Sequence, residues 1–254
     1  MNQHRISAEV LDTLHKFDSP TISNVIELFE IRPRNAGYMD PTIRALFPDM
    51  PPIVGFASTA TSRASRAASG RTKANLKEQI EGLERVPSPR IMVFEDVDSP
   101  VAAAMFGEVM CSVYQRFGCV GLITNGAGRD LDAIRRLGFA AFTSSVCVSH
   151  GYSHFEELNV PVQVGGIVVR PGDLIHADGN GIVVIPLDIA EKVAHACAAY
   201  IKTETVILDY LKNKDVDVGG LQGAFDKHVA LMKAISKKFH GSRQRATSLE
   251  QGLV

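Results

Sequence analysis

Arg129 and Asp130 stand side by side in Asn125-Gly126-Ala127-Gly128-Arg129-Asp130, which follows the apolar run Val120-Gly121-Leu122-Ile123. The run reads as a buried strand, so the pair falls on the turn at its carboxyl end, where open α/β sheets bind ligands. A guanidinium grips a carboxylate through its planar fork, and an ionised carboxylate holds a divalent cation. Together they suit a small anionic substrate presented to a metal. Upstream, Gly107-Glu108-Val109-Met110 sets a glycine before a helix, where unpaired backbone N–H groups favour an anion. Glu108 is a candidate general acid or base, or an ordinary first-turn carboxylate that complements the helix dipole. A surface ion pair or a helix cap is the plainer reading of Arg129 and Asp130. Asp132 is placed either to join a metal through water or to face solvent.

Three other constellations carry less. Gly126-x-Gly128 after a strand has the start of a dinucleotide fingerprint, but Leu131 stands where the third glycine belongs. No acidic residue follows at the ribose-binding distance, which argues against nucleotide-dependent methyl or hydride transfer. His150 and His154 have i, i+4 spacing, yet Gly151 weakens a helix there and no His-Glu-x-x-His pattern is present. A loop at a subunit contact is the better reading. His176 and Asp178 either reach a neighbouring subunit's site or belong to a tight turn in which Asp178 bonds its own backbone.

The elements that must position these residues follow from periodicity. Ser7 caps a helix with Val10, Leu11, Leu14 and Phe17 on one face, and Ser19-Pro20 opens a second one. Residues 31–52 read as an ordered loop, 53–61 as a strand, 62–89 as a polar segment with a short helix, and 90–95 as a strand. Alternation then continues with an apolar stretch 101–106, helix 107–117, strand 119–124, helix 131–137 and strand 139–148, implying parallel strands with crossover helices. From 162 to 185 the pattern becomes a β-hairpin meander with turns at Pro171-Gly172-Asp173 and Asp178-Gly179-Asn180-Gly181. Helices are expected at 187–211 and 223–239, and a frayed tail at 241–254. The expected organisation is N-terminal helices (1–30), a β/β/α core (31–186), a helical appendage (187–240) and the tail.

The chain has 254 residues, 45% hydrophobic and 22% charged, with a formal net charge of -1. That balance gives no electrostatic case for nucleic acid or an anionic membrane. Four cysteines stand apart at 111, 119, 147 and 197, which suits a reducing cytoplasm better than a disulfide framework. Residues 1–5 lead into an amphipathic segment rather than a signal-peptide core, and no apolar stretch approaches the ~20 residues of a membrane span.

Taken in order and spacing, several segments resemble the RraA-like family. They are Gly107-Glu108, Gly118-Cys119-Val120-Gly121, Asn125-Gly126-x-x-Arg129-Asp130, Val164-Gly165-Gly166, Pro171-Gly172-Asp173-Leu174 and His176-Ala177-Asp178-x-x-Gly181-Ile182-Val183-x-Ile185-Pro186. The family contains the 4-hydroxy-4-methyl-2-oxoglutarate/4-carboxy-4-hydroxy-2-oxoadipate aldolases and the regulator of ribonuclease activity A. The resemblance implies an α/β fold, a swivelling β/β/α layered domain here flanked by N- and C-terminal helices. It also implies trimers or hexamers with sites between subunits. By that similarity, residues 107–110 (Gly107, Glu108, Val109, Met110) bind substrate through backbone amides and Arg129 binds its carboxylate or carbonyl. Asp130 anchors a divalent metal, Mg²⁺ or Mn²⁺. Two positions depart from the family pattern: Ala133 replaces an acidic residue four positions after the arginine, and Asn125 replaces a common aspartate. Asp132 lies beside Ala133 but about a 100° step around the helix.

The expected activity is a metal-dependent lyase acting on a small pyruvate-derived 2-oxo acid through an enolate that the metal and Arg129 stabilise. A retro-aldol substrate needs a base for its hydroxyl proton, Glu108 or a metal-bound water; oxaloacetate decarboxylation does not. The rival expectation is a non-catalytic protein that regulates an enzyme partner.

Overall fold

The computed structural model describes residues 6–69 and 76–250, with side chains as far as residue 239. Residues 1–5, 70–75 and 251–254, on which parts of the leader, polar-segment and tail expectations fall, lie outside the described residues. Ser7 caps α1 (Ala8–Leu14) by accepting from the Val10 N–H at 3.3 Å, as its position predicts. Asp18, not Ser19, caps α2 (Ser19–Glu27), accepting from the Thr21 N–H at 2.8 Å. Ser19 is committed elsewhere: its hydroxyl meets His176 Nδ1 at 2.8 Å and its N–H donates to Asp178 at 2.8 Å.

The chain continues through β1 (Arg44–Ala45), β2 (Ile53–Arg63), α3 (Leu76–Glu84) and β3 (Arg90–Asp96). Next come β4 (Ala104–Phe106), α4 (Glu108–Arg116), β5 (Cys119–Thr124), β6 (Ala127–Gly128), α5 (Leu131–Leu137), β7 (Ala140–Thr143) and β8 (Ser145–Val146). The last part holds β9 (His154–Leu158), β10 (Val162–Val164), β11 (Ile167–Val169), β12 (Leu174–Asp178), β13 (Gly181–Ile185), α6 (Ala190–Leu211) and α7 (Val218–Glu250).

One curved, nearly closed sheet organises the molecule, in the order β1-β7-β5-β3-β2-β12-β13 with β9 also paired to β2. β7, β5, β3 and β2 run parallel, each linked by a helix-bearing crossover, and β12 and β13 continue antiparallel. Successive side chains of a strand face opposite sides, so the apolar strands feed two cores. Ile53, Ala57, Ile91, Val93 and Phe142 pack with Met39, Ile43 and the β10–β11 hairpin. Met92, Phe94, Leu122 and Ala141 pack on the other face against Leu83, Cys111, Tyr114 and Ile134 of α3–α5. Farther along that second face Val54, Phe56, Leu174 and Val183 meet α1, α2 and α6. The layers are therefore β/β/α, with helices of both termini flanking the sheet.

Several expected elements are divided differently. Residues 162–170 are not one strand of a meander. Gly165 and Gly166 take φ of +56° and +75°, a turn open to glycine, and fold β10 and β11 into a separate hairpin. β12 pairs with β2 instead. Residues 139–148 split at Ser144, whose hydroxyl bonds the Gly126 carbonyl at 2.9 Å, so that β7 and β8 belong to different sheets. β9 was not expected at all; Phe155 is its only buried apolar anchor, so the period-2 signal is weak. α7 starts at Val218 and runs to Glu250, through residues read as a tail that contain no proline.

Candidate functional site

A second, three-stranded sheet builds the site. β4, β6 and β8 run parallel, pairing Ala104 with Ala127, Phe106 with Gly128 and Gly128 with Val146. All three strands end at one edge, where they release α4, the Arg129-Asp130 turn and the loop 147–153. The Arg129 N–H donates to the Phe106 carbonyl at 3.1 Å and the Cys147 N–H to the Gly128 carbonyl at 3.0 Å. Gly128 is obligatory, because a Cβ there would overlap the Phe106 ring.

Asp130 opens α5 in the left-handed conformation, φ 58° and ψ 40°, without capping it by its side chain. Such a backbone is uncommon outside glycine and concentrates at functional positions. It turns the carboxylate toward α4, where it accepts the Glu108 N–H at 3.1 Å. Gly107, the N-cap of α4, leaves room for this approach: an added Cβ would overlap the Asp130 carboxylate. Arg129 Nε stands 3.8 Å from Asp130 Oδ2, both side chains half-exposed. Adjacent residues of one turn thus direct a carboxylate and a guanidinium to the start of one helix.

Beside them lies a cleft of about 330 Å³ whose walls include Phe106, Gly107, Met110, Arg129, His150 and Ser153. Of the residues singled out in the sequence, Gly107, Met110 and Arg129 line it and Asp130 borders it through the Glu108 amide. Glu108 and Val109 occupy the exposed first turn of α4 outside the lining, and Asp132 is exposed on α5. Ala133, half-buried, donates its N–H to the Asp130 carbonyl at 3.0 Å.

His150 and Ser153 are the lining residues that sequence reasoning missed as site groups. The one signal was the His150–His154 spacing, and it pointed to a pair that does not form a common site. His154 is buried at the start of β9, its Nδ1 2.8 Å from the Tyr152 carbonyl, whereas His150 faces the cleft. Among the described residues no three His, Cys, Asp or Glu side chains are grouped to hold a metal. Asp130 alone fits a hard, hydrated cation such as Mg²⁺, which needs few protein carboxylates, and does not fit a closed transition-metal centre.

An ionic cluster adjoins the loop 147–153, whose Tyr152 N–H donates to the Ala64 carbonyl at 3.0 Å. Asp98 accepts from the Ala64 and Ser65 N–H groups at 2.7 Å each and pairs with Arg63 at 2.9 Å; Arg63 reaches Glu156 at 2.8 Å. Burial alone would raise the Asp98 carboxyl, but these bonds and the Ser65 hydroxyl carry it below its usual range. Burial instead holds the Asp96 carboxyl above it. Asn125 clamps Asp96 by its backbone, accepting the Asp96 N–H at 2.7 Å and donating to the Asp96 carbonyl at 2.9 Å. A carboxylate cannot do both, so the family's aspartate would not serve here. Burial, with Asp130 adding to it, pushes the Cys111 thiol up to about 12, which removes it as a nucleophile. His176 and Asp178 are not among the cleft's lining residues: they fasten α2, and Asp178 also accepts from its own turn at Asn180, 2.8 Å.

The family model RraA-like (Aldolase/RraA) matches residues 8–184, and the chain belongs to that family. It is 28% identical over 183 residues to the "Putative 4-hydroxy-4-methyl-2-oxoglutarate aldolase" of Halalkalibacterium halodurans, covering 71% of this chain and 78% of that one. It is 27% identical over 124 residues to Protein DlpA of Legionella pneumophila, but the match spans 48% of this chain and only 20% of that protein. Among solved structures, an uncharacterized protein from Pseudomonas syringae pv. tomato aligns with a TM-score of 0.68 at 23% identity, over 86% of this chain and 93% of that one. Streptomyces coelicolor RraAS2, described as an unusual member of the RNase ES inhibitor RraA protein family, aligns at 0.63 and 22%, over 80% and 97%. Both share the fold. A larger cleft of about 670 Å³, between α2, α6 and α7, involves Tyr200, His228 and Lys233, which lie beyond the matched segment.

Proposed function

We propose that this protein is a divalent-metal-dependent lyase that cleaves a C–C bond of a pyruvate-derived 2-oxo acid. The candidate reactions are the retro-aldol cleavage of a 4-hydroxy-4-methyl-2-oxoglutarate-type substrate and the decarboxylation of oxaloacetate. The observation that carries the reading is the convergence of Asp130, Arg129 and the α4 N-terminus on one cleft edge. Homologues named as aldolases supply the reaction class.

Arg129 grips the substrate's 2-oxo carboxylate, and its charge favours the enolate oxygen that develops as the bond breaks. The α4 backbone amides left free by Asp130 orient the same anionic end. Asp130 would hold the cation, which when bound supplies Lewis-acid polarisation of the 2-oxo group. Met110 and Phe106 shield the reacting atoms from bulk water.

A homotrimer or hexamer with sites between subunits belongs to the same proposal. Val109, Val146, Val148 and Tyr152 are 74%, 56%, 90% and 64% exposed on the elements that frame the cleft, more apolar surface than a lone monomer needs there. A second reading, a regulator of an enzyme partner, is favoured by one observation: position 133 carries a half-buried alanine where the family has an acid. Assays of the purified chain with oxaloacetate and with 4-hydroxy-4-methyl-2-oxoglutarate, in Mg²⁺ or Mn²⁺ and then in excess chelator, separate the two. Turnover abolished by chelation supports the lyase; no turnover with any 2-oxo acid favours the regulator.

A further inference from the structure

We infer that His150 is the general base, and in turn the general acid, of the candidate cleft; this rests on the lyase reading above. Retro-aldol cleavage needs a group that takes the substrate's hydroxyl proton. Among the described residues lining the cleft only Arg129 and His150 carry titrating side chains, and a guanidinium stays protonated. Glu108, the carboxylate expected for this task, is outside the lining.

The geometry fixes which nitrogen acts. His150 Nδ1 lies 2.9 Å from the Gly151 carbonyl oxygen, which can only accept, so Nδ1 carries the hydrogen. Nε2 then holds the free lone pair. The loop that presents it is fastened at both ends. The Ala104 N–H donates to the Ser149 carbonyl at 2.8 Å, the Tyr152 N–H to the Ala64 carbonyl at 3.0 Å, and the Ser153 N–H to the His150 carbonyl at 3.0 Å. Gly151 makes the close turn possible, with φ +50° and the Ala64 carbonyl oxygen 2.8 Å from where a Cβ would sit. The backbone that carries the ring is therefore fixed before substrate arrives, and His150 and Arg129 line the same cleft.

In the step itself, Nε2 accepts the hydroxyl proton and the O–H electrons form the new carbonyl. The C–C bond breaks, and its pair forms the enolate of pyruvate, whose oxygen charge faces Arg129. The imidazolium then returns the proton to the enolate carbon. Protons and electrons balance with no redox partner.

Steady-state kinetics of His150→Gln and His150→Ala beside the wild type, in Mg²⁺, test this. Retro-aldol kcat should fall about 100-fold or more, the scale of general acid–base catalysis. Oxaloacetate decarboxylation, which has no hydroxyl proton to remove, should fall by at least tenfold less. Added imidazole should restore part of the retro-aldol rate to His150→Ala and none to His150→Gln, whose side chain fills the space. An unchanged retro-aldol rate in a variant, or an equal loss of both reactions without rescue, overturns the assignment. A wild type inactive on both substrates overturns the lyase reading itself, a failure distinct from that of His150. Because His150 is exposed, both variants should melt within about 2 °C of the wild type, as expected for surface substitutions.

Discussion

At Asp130 the backbone and the charge can be tested apart. Asparagine tolerates the left-handed conformation at least as well as aspartate does, so Asp130→Asn should keep the fold and lose an anionic ligand. Calorimetric titration with Mn²⁺ should show affinity reduced at least about tenfold, with turnover falling alongside. Unchanged Mn²⁺ affinity would remove Asp130 as the ligand. Arg129→Lys replaces a planar fork by a point charge and should lower kcat/KM about 100-fold, on the scale of one lost charge-stabilising donor. A near-normal value would leave Arg129 a surface partner of Asp130. Asn125→Asp loses the donor to the Asp96 carbonyl and adds a charge near a buried carboxyl. It should destabilise by about 1–3 kcal/mol in denaturant unfolding, although it restores the family's residue. Residue type and order singled out Gly107, Arg129 and Asp130, which the fold brings together at one cleft edge, but also Glu108, Val109 and Asp132, which lie outside its lining. His150 was not legible in this way, since a lone histidine in a glycine turn carries no spacing that reveals which cleft it faces.

The N-terminal helices are fixed to the sheet by one polar knot. His176, fully buried on β12, has Nε2 3.0 Å from the Phe17 carbonyl and Nδ1 2.8 Å from the Ser19 hydroxyl, which satisfies a neutral imidazole. Burial is the main influence and pushes His176 below its ordinary 6.5, against opposing contributions from Asp178 and the backbone carbonyls. The unfolded chain thus binds this proton at a higher pH than the folded chain. The stability is fully present above 6.5 and is lost as pH falls below it toward the folded value. Thermal melts between about pH 7.5 and 5.5 should therefore show a falling Tm, and His176→Gln should flatten that slope even if its Tm starts lower. An unaltered slope would place the pH dependence elsewhere. Helices α1, α2, α4 and α5 were readable from their apolar spacing, helped by the Ser7 cap on α1 and by glycines at the ends of α4 and α5 (Gly118 and Gly138), although α2 takes Asp18 rather than Ser19 as its cap. The β10–β11 hairpin and the split of residues 139–148 were not, since apolar strand content does not say which sheet a strand joins.

Across the whole molecule the sheet order, not any local motif, brings β4, β6 and β8 to one edge, and pairing between distant residues such as Ala104 with Ala127 and Gly128 with Val146 leaves no mark in the sequence. The alternation of strands and helices predicted the parallel core, and the RraA-like resemblance predicted the β/β/α layers; both stand. No helix among the described residues is long and apolar enough to cross a membrane. If the exposed residues around the cleft are subunit contacts, sedimentation of the full chain should give a trimer or hexamer. Val148→Asp, at a side chain 90% exposed, should shift it toward monomer and lower activity together. A monomeric wild type with full activity would end that part of the proposal.

The most direct test of the central claim uses half a substrate. If Arg129 and the Asp130-held cation stabilise a pyruvate enolate, the protein should exchange the methyl hydrogens of pyruvate for deuterium in D₂O, followed by the decay of the proton NMR methyl signal. The account predicts exchange well above the buffer rate with Mg²⁺ or Mn²⁺, lost in chelator and in Arg129→Lys. Exchange at the buffer rate for the metal-loaded wild type would contradict it.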